Sequence, residues 1–114
     1  MPTFKYFLKS FLLYAGLATA VSNAAYAEEF TNKDFLTLQE AHQKFWIQGS
    51  IDSLAHVAAA KSKQTGRCVI EWYYGDKHAA RNGLILASMR KYPDAQPTAV
   101  MLALTERACG VFRK

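Results

Sequence analysis

Histidines and carboxylates are the side chains of this sequence that could bind a metal or transfer protons. His42 and His56 lie 14 residues apart in a segment predicted to be one helix. At a rise of 1.5 Å per residue they are separated by about 21 Å, which is too far to share a metal ion. The same arithmetic places Glu40 and Asp52 about 18 Å apart, too far for a pair of acid/base carboxylates. The spacing therefore predicts no catalytic residues, no metal site and no cofactor, and we expect a protein that is not an enzyme.

The first 27 residues have the pattern of a secretory signal peptide. A basic start is followed by an apolar stretch at 11–18, and Ala25–Ala27 has the small residues that signal peptidase accepts. The apolar stretch is shorter than the roughly 20 residues that a membrane-spanning helix needs. We therefore expect export to the periplasm, cleavage after Ala27, and a single domain over residues 28–114 with no stable membrane insertion.

The two cysteines, Cys68 and Cys109, are predicted to form a disulfide. An exported chain reaches an oxidising compartment, where a pair of cysteines is more often a disulfide than a metal site or a nucleophile. The bond would close a loop of 41 residues. In the chain-entropy description such a loop stabilises the fold by about 4 kcal/mol, a large share of the stability of a small domain.

The composition argues against nucleic acid as a partner. The full chain carries a formal net charge of +5. Loss of Lys5 and Lys9 with the leader leaves twelve basic and nine acidic residues, a net charge of +3 that is ordinary for a small domain. The sequence also lacks a cluster of lysine and arginine interleaved with aromatic residues, which is typical of proteins that bind phosphate backbones.

The hydrophobic pattern predicts an all-α fold, a compact bundle of about four helices. Capping boxes at Thr31 and at Thr37, each with an acidic residue three positions on, are expected to start the first two helices. The second helix has a broad apolar arc, so we expect it at the centre of the packing. Asp76 is expected to cap the third helix, and Pro97 to begin the last one before Gly110 ends it. The predicted helices span residues 30–36, 37–61, 77–91 and 97–109.

The segment between the second and third helices is predicted to be irregular. Ser62–Arg67 is polar, and Gly66 is expected to adopt a left-handed conformation there. Cys68–Tyr74 is rich in β-branched and aromatic residues, but no second strand is available to pair with it, so we expect a tethered extended segment. Gly49, inside the long helix, is expected to mark the close approach of another helix, because a glycine there costs about 1 kcal/mol relative to alanine.

A cluster of aromatic and basic residues beside Cys68 is the predicted partner-binding surface. Aromatic residues and arginine dominate the contacts that carry binding energy between proteins. A short segment cannot bury three consecutive aromatic side chains on one side, so at least one is expected to face outward. The alternative, that Trp72 and one tyrosine only cover the disulfide, stays open. The predicted binding residues are Arg67, Trp72, Tyr73, Tyr74, Lys77 and Arg81.

Several short motifs follow one another along the predicted domain. They are Asp34–Leu36, an aromatic-x-x-Gly-x-x-Asp pattern at Trp46–Asp52, the loop cysteine Cys68, Arg90–Asp94, Pro97–Val100 and the closing Ala108–Cys109. Together with the leader, this order resembles the Rap/Tai family of type VI secretion immunity proteins. The resemblance implies a helical periplasmic protein that binds and inhibits a peptidoglycan-cleaving amidase without catalysing a reaction. It also implies a disulfide at the positions of the two cysteines.

Two features depart from the pattern of that family. Many of its members have an additional cysteine pair around the first and second helices, where this chain has Phe35, Leu36 and Phe45. The run Trp72–Tyr74 stands where members have a stretch that contains proline. The resemblance therefore implies the fold more strongly than it identifies the amidase.

Two other classes of exported helical protein fit the same features. An acid-stress chaperone of the Hde type loosens when carboxylates and histidines are protonated, but this sequence has nine acidic residues and no obvious acidic cluster. A protein that binds a small molecule or a lipid between its helices is the other class. A homodimer is a further assembly that the sequence leaves open.

Overall fold

The fold of this chain is described by a computed structural model, which covers residues 29–113. All regular structure in this range is helical, so the all-α prediction is confirmed. The predicted leader and its cleavage site at residues 1–27 lie outside the described residues. The five helices are α1 Asn32–Leu36, α2 Glu40–Lys61, α3 Lys63–Tyr74, α4 His78–Lys91 and α5 Pro97–Cys109.

One hydrophobic core lies between the five helices, and each helix contributes at least one fully buried side chain to it. Phe35 of α1, Ile51 of α2, Val69 of α3, Ile85 of α4 and Met101 of α5 all have no solvent exposure. Burying a side chain of this size stabilises a fold by roughly 1.5–3 kcal/mol. The shared core therefore fixes the positions of the helices that carry the candidate site.

The predicted capping box at the start of α1 is present. The hydroxyl of Thr31 accepts from the backbone amide of Asp34 at 3.3 Å, and the Asp34 carboxylate accepts from the Thr31 amide at 3.1 Å. The Thr31 amide is the main cause of the lowered pKa of Asp34. A helix of five residues is not stable alone. The loop between α4 and α5 holds it, because its carbonyl groups accept from the amides of Asn32 and Lys33.

The second predicted capping box, at Thr37 and Glu40, is wrong. Thr37 ends α1 instead, because its amide and its hydroxyl both donate to the carbonyl oxygen of Asp34 (3.1 and 2.6 Å). The N-cap of α2 is Gln39, whose side chain makes no capping hydrogen bond. The capping signal failed here because a threonine hydroxyl can bond the carbonyl three residues before it as readily as an amide that follows it.

The segment that was predicted to be irregular is the helix α3. The hydroxyl of Ser62 caps it by accepting from the backbone amide of Thr65 at 3.0 Å. Gly66, Val69 and Tyr73 form its buried stripe, at the spacing of one helix face. Burial of this stripe outweighs the β preference of the branched and aromatic residues, which depends on context. The prediction of a loop followed by an extended run is therefore wrong, and the bundle has five helices.

The contact between α2 and α3 is close because one residue in α3 has no side chain. A Cβ at Gly66 would lie 2.8 Å from the Cβ of Ala59 and 3.0 Å from the carbonyl oxygen of Ala55. Gly49 in α2 was expected at such a crossing, but no other atom lies within 4 Å of its Cβ position. The expectations for both glycines are therefore wrong: the helical Gly66 makes the close approach, and Gly49 faces open space.

The helix α3 packs against α2, α4 and α5. The long helix α2, which was expected at the centre, packs mainly against α3 and α5 and keeps one face open. The helix α4 begins at His78, and its N-cap is Lys77, so the predicted cap at Asp76 is wrong. The start of α5 at Pro97 and its end before Gly110, which has a φ of +89°, agree with the prediction.

The chain after α5 folds back onto the bundle. Phe112 is buried, and its amide donates to the carboxylate of Glu106 at 3.0 Å. The guanidinium of Arg113 donates to the other carboxylate oxygen from Nε and Nη2, both at 2.8 Å. The side chain of Lys61 donates to the carbonyl oxygen of Val111. The Arg113 hydrogen bond is the main reason that the pKa of Glu106 is lowered. Glu106 therefore binds the tail as a charged carboxylate.

Candidate protein-binding surface

The predicted disulfide is present. It joins Cys68 in α3 to Cys109, the last residue of α5, with 5.8 Å between the two Cα atoms. The bond connects two helices that also pack against each other. It therefore limits the movement of the surface on either side of the two sulfur atoms.

The outer face of α3 forms one wall of a groove of about 690 Å³ beside this disulfide. Gln64, Cys68 and Trp72 follow one another at intervals of four residues, and so do Arg67 and Glu71. Side chains four residues apart lie on the same face of a helix, so all five line the groove. The end of α5 lines it as well.

An arginine from α4 holds the indole of Trp72 in place at this groove. The guanidinium carbon of Arg81 lies 5.3 Å from the centre of the Trp72 ring, a cation–π contact. Nε of Arg81 also donates to the carbonyl oxygen of Trp72 at 3.1 Å. That carbonyl is in the last turn of α3, where helical partners are missing. The guanidinium group of Arg81 therefore caps the C-terminal end of α3 and also holds the Trp72 side chain in place.

Tyr73 does not belong to this surface. Its side chain is fully buried, and its hydroxyl donates to Oδ1 of Asn82 at 2.7 Å. Burial is the main cause of the raised pKa of this tyrosine. The prediction that Tyr73 contacts a partner is therefore wrong, because helical geometry turns it into the core while Trp72 and Tyr74 keep part of their surface exposed.

Tyr74 and Lys77 are exposed but lie outside the groove. The ring of Tyr74 stacks on the imidazole of His78, with 10° between the planes, and its hydroxyl lies 3.5 Å from Oδ1 of Asp52. Burial, followed by the charge of Asp52, raises the pKa of Tyr74. Lys77 precedes α4 as its N-cap. Neither side chain lines the groove.

The structure thus brings together Arg67, Trp72 and Arg81 from the predicted set. Trp72 is half-buried: part of it packs against the core, and part of it lines the groove beside the disulfide. Sequence analysis missed Gln64 and Glu71, as well as Ala108 of α5. The four-residue spacing from Gln64 to Trp72 was the signal for this face, but it indicates a surface only if the segment is a helix.

A second groove, of about 530 Å³, lies between α2 and α5. Its apolar lining comes from Trp46, Leu54 and Met101, and the open position at Gly49 lies on its α2 side. Phe45 stands at its edge with 72% of its surface exposed. Sequence analysis did not predict this groove.

Within residues 29–113, no three histidine, cysteine or acidic side chains lie close enough together to hold a metal ion. No helix in the same range is both long and apolar enough to cross a membrane.

Comparison with known proteins found no match: no protein-family model, no characterised protein and no solved structure is significantly similar to this chain. The resemblance to the Rap/Tai family therefore rests on the sequence motifs alone. The groove beside the disulfide is the structural basis for assigning a function.

Proposed function

We propose that this chain is an exported, non-catalytic binding protein, and that it protects cells by inhibiting a peptidoglycan amidase of a type VI secretion system. The sequence motifs that resemble the Rap/Tai family support the class of partner. The groove beside the disulfide, with Arg67 and Trp72 in its lining and Arg81 over the Trp72 ring, supports the mode of binding. This groove is the observation that carries the proposal.

The groove has the composition of a binding hot spot. Tryptophan and arginine are enriched among the residues that contribute most to protein–protein affinity. Here the indole of Trp72 is held by Arg81, and the helix that carries it is bonded to α5 through Cys68. The Trp72 side chain therefore has little freedom left to lose on binding, and a pre-ordered contact residue lowers the entropic cost of association. A rigid inhibitor of an enzyme benefits from this property.

The charges at the groove indicate the chemistry of the contact on the amidase. Arg67 and Glu71 of the lining are exposed, and Arg81 is half-exposed beside Trp72. An arginine forms two parallel hydrogen bonds with a carboxylate. We expect the amidase to present an acidic side chain to Arg67 and an apolar group to Trp72, and to be blocked because the bound inhibitor covers its substrate cleft.

Direct binding and inhibition test this function. The purified, oxidised protein would be titrated into a cell-wall amidase encoded next to it, with calorimetry for affinity and release of cleaved peptidoglycan for activity. We expect a tight complex and loss of amidase activity. Protection of cells that express the amidase in the periplasm is the matching test in vivo. Absence of binding, or binding that leaves the amidase active, would overturn the proposal.

Variants of the groove test the mode of binding. Trp72→Ala is expected to weaken the complex by about 2 kcal/mol or more, roughly 30-fold. Arg67→Ala should weaken it as well, and its exposed side chain leaves the core untouched. Tyr92→Ala removes a 54% exposed aromatic side chain at the end of α4 and serves as the control. Equal affinity of all three variants, with circular dichroism showing an intact fold, would exclude this groove as the binding surface.

A further inference from the structure

Positive charge is concentrated at the end of the bundle where α2 turns into α3 and where α5 ends. Five basic residues and one acidic residue lie in segments 61–67 and 106–113, whereas six basic and seven acidic residues lie in the rest of residues 29–113. The formal charge is therefore +4 at this end and −1 elsewhere in the same range. We name this region the basic end, and its charged residues are Lys61, Lys63, Arg67, Glu106, Arg107 and Arg113.

Three connections hold the two segments of the basic end together. The disulfide joins α3 to the end of α5 across a sequence separation of 41 residues. Lys61 donates to the carbonyl oxygen of Val111, and Arg113 forms an ion pair with Glu106. Each of the five basic residues belongs to one of these connections or lies within two residues of one. The fold therefore gathers charges from distant parts of the chain on one surface.

Little of this charge is neutralised within the chain. Of the two ion pairs among residues 29–113, one lies at the basic end, between Arg113 and Glu106. Glu106 is buried there and holds the tail. Lys63, Arg67 and Arg107 are exposed, and none of them forms an ion pair with a carboxylate of the same range. Lys63 and Arg67 are also four residues apart on α3, where like charges repel each other. An anionic ligand would relieve this repulsion.

Arg67 lies between two grooves and lines both of them. One is the groove beside the disulfide, and the other is a groove of about 540 Å³ between α2 and α3, which Lys63 also lines. Each groove has one acidic residue, Glu71 in the first and Asp52 in the second. Glu71 is eight residues from Lys63 along α3, and Asp52 is nine residues from Lys61 along α2. At about 12–14 Å along their helices, both carboxylates are remote from the basic end.

The composition of the basic end favours a polypeptide over a lipid surface as its ligand. Within residues 61–68 and 106–113, Val111 is the one exposed large hydrophobic side chain. Helices that enter a lipid headgroup layer bury a band of apolar side chains there, and this end has no such band. The adjoining groove contains Trp72, a residue type that is enriched in protein interfaces. One protein partner can therefore cover both surfaces.

We propose that the basic end binds an acidic segment of the same protein that occupies the groove beside the disulfide. The carboxylates of this segment face Lys63, Arg67 and Arg107, while an apolar group of the partner covers Trp72. The inference rests on the proposed function for the identity of the partner, and it adds that the amidase carries this acidic segment next to the contact at Trp72. Opposite charges on two surfaces accelerate their encounter by about 10- to 1,000-fold at low salt, so the basic end speeds the formation of the complex.

An NMR titration with a short poly-L-glutamate peptide tests the basic end without the amidase. At low salt we expect shifts of the backbone amide signals of residues 61–68 and 106–113. Lys63→Glu with Arg107→Glu should abolish these shifts. Arg90→Glu with Lys91→Glu is the matched control, because it changes the net charge by the same amount at exposed positions at the end of α4. This control should bind the peptide as wild type does.

Three results of the titration would overturn the inference. They are the absence of shifts, shifts spread evenly over the surface, and equal loss of binding in both double variants, because the last two report net charge alone. Stronger binding to phosphatidylglycerol vesicles than to the peptide, lost in Lys63→Glu with Arg107→Glu, would assign the basic end to a lipid surface instead. If circular dichroism shows that this variant does not fold, Lys63→Gln with Arg107→Gln makes the same test with a smaller change of charge.

Association kinetics with the amidase distinguish this inference from the proposed function. In stopped-flow measurements, the association rate constant of wild type should fall by about tenfold or more from low to high salt. Lys63→Glu with Arg107→Glu should associate slowly at all salt concentrations, with little change in the dissociation rate constant. Association that depends neither on salt nor on these substitutions would overturn the inference and leave the proposed function intact. If the amidase does not bind at all, the proposed function fails, and the peptide titration still decides the inference.

Discussion

The two sides of α2 contrast sharply, although a glycine in a helix interior lies at each: Gly66 of α3 on one side and Gly49 of α2 itself on the other. Toward α3, the two helices meet so closely that a Cβ at Gly66 would overlap the side chain of Ala59. Toward α5, Gly49 lines an open groove, and nothing in the chain lies near its Cβ position. We call the side toward α3 the closed side and the side with Gly49 the open side. At the closed side, the disulfide between Cys68 and Cys109 also connects α3 to α5. One side of α2 is therefore filled by packing within the chain, and the other is open to solvent.

Two aromatic residues of this surface also differ in how firmly the protein holds their side chains. Trp72, near the closed side, is held by the guanidinium of Arg81 and packs partly on the core. Phe45, at the open side, has 72% of its surface in solvent. A fixed aromatic side chain would lose little freedom if a partner bound it, whereas an exposed one beside an apolar groove leaves hydrophobic area in contact with water.

Removal of the disulfide should have the largest effect on the closed side. Replacement of both cysteines, Cys68→Ser with Cys109→Ser, is expected to lower the free energy of unfolding by about 4 kcal/mol, because the unfolded chain regains the freedom of a 41-residue loop. Guanidinium denaturation measures the change. Reduced wild type is the matched control and should behave as the double variant does. A loss below about 1 kcal/mol would show that packing alone holds α3 against α5.

Alanine at the two glycines should give effects of opposite sign. Gly66→Ala is expected to lower the free energy of unfolding by about 1–2 kcal/mol, because the overlap with Ala59 and with the α2 backbone forces the helices apart. Gly49→Ala should raise it by up to about 1 kcal/mol, because alanine favours a helix and the space is open.

Urea denaturation would compare the two glycine variants. Gly83→Ala, in another open helical position, is the control and should resemble Gly49→Ala. Equal effects of Gly66→Ala and Gly49→Ala would remove the distinction between the closed and open sides of α2.

Loss of the Glu106 carboxylate should have the smallest effect, and one that depends on pH. This carboxylate accepts from the amide of Phe112 and from the guanidinium of Arg113, and its pKa is lowered below the ordinary value of 4.5. A group with a lower pKa in the folded state stabilises the fold above its unfolded pKa, and this contribution disappears as the pH falls through the folded value. Glu106→Gln should therefore be less stable than wild type at neutral pH, and the difference should vanish in acid.

Thermal melts between neutral pH and pH 3 would follow this change. Glu71→Gln, on the exposed face of α3, is the control and should show little difference from wild type. A difference between Glu106→Gln and wild type that persists unchanged in acid would mean that the charge of Glu106 does not hold the tail in place.

Local signals predicted several boundaries correctly. The capping box at Thr31, the start at Pro97 and the end at Gly110 all depend on hydrogen bonds or dihedral angles within a few residues. The same kind of signal failed at Thr37, whose hydroxyl bonds the carbonyl oxygen of Asp34 instead. It also failed at Asp76, because α4 begins one residue later than predicted, with Lys77 as its N-cap. Residues 63–74 failed for a different reason: their helix depends on burial against three other helices.

The candidate surface could be predicted only in part. Arg67, Trp72 and Arg81 were selected by residue type; the first two line one groove, and Arg81 contacts the Trp72 ring. Tyr73 was selected for the same reason and is buried. Residue type cannot distinguish an exposed aromatic side chain from a buried one. The orientation of α3 against the neighbouring helices decides which of its side chains face the solvent.

The sequence by itself determined that the fold is helical and which two cysteines pair, because hydrophobic periodicity and the number of cysteines can be read from the sequence alone. Only the tertiary structure decided that Gly66 rather than Gly49 lies in a helix contact, and that Trp72 faces a groove while Tyr73 faces the core. These outcomes depend on contacts between residues that are distant in the chain, and such contacts exist only after the helices have packed.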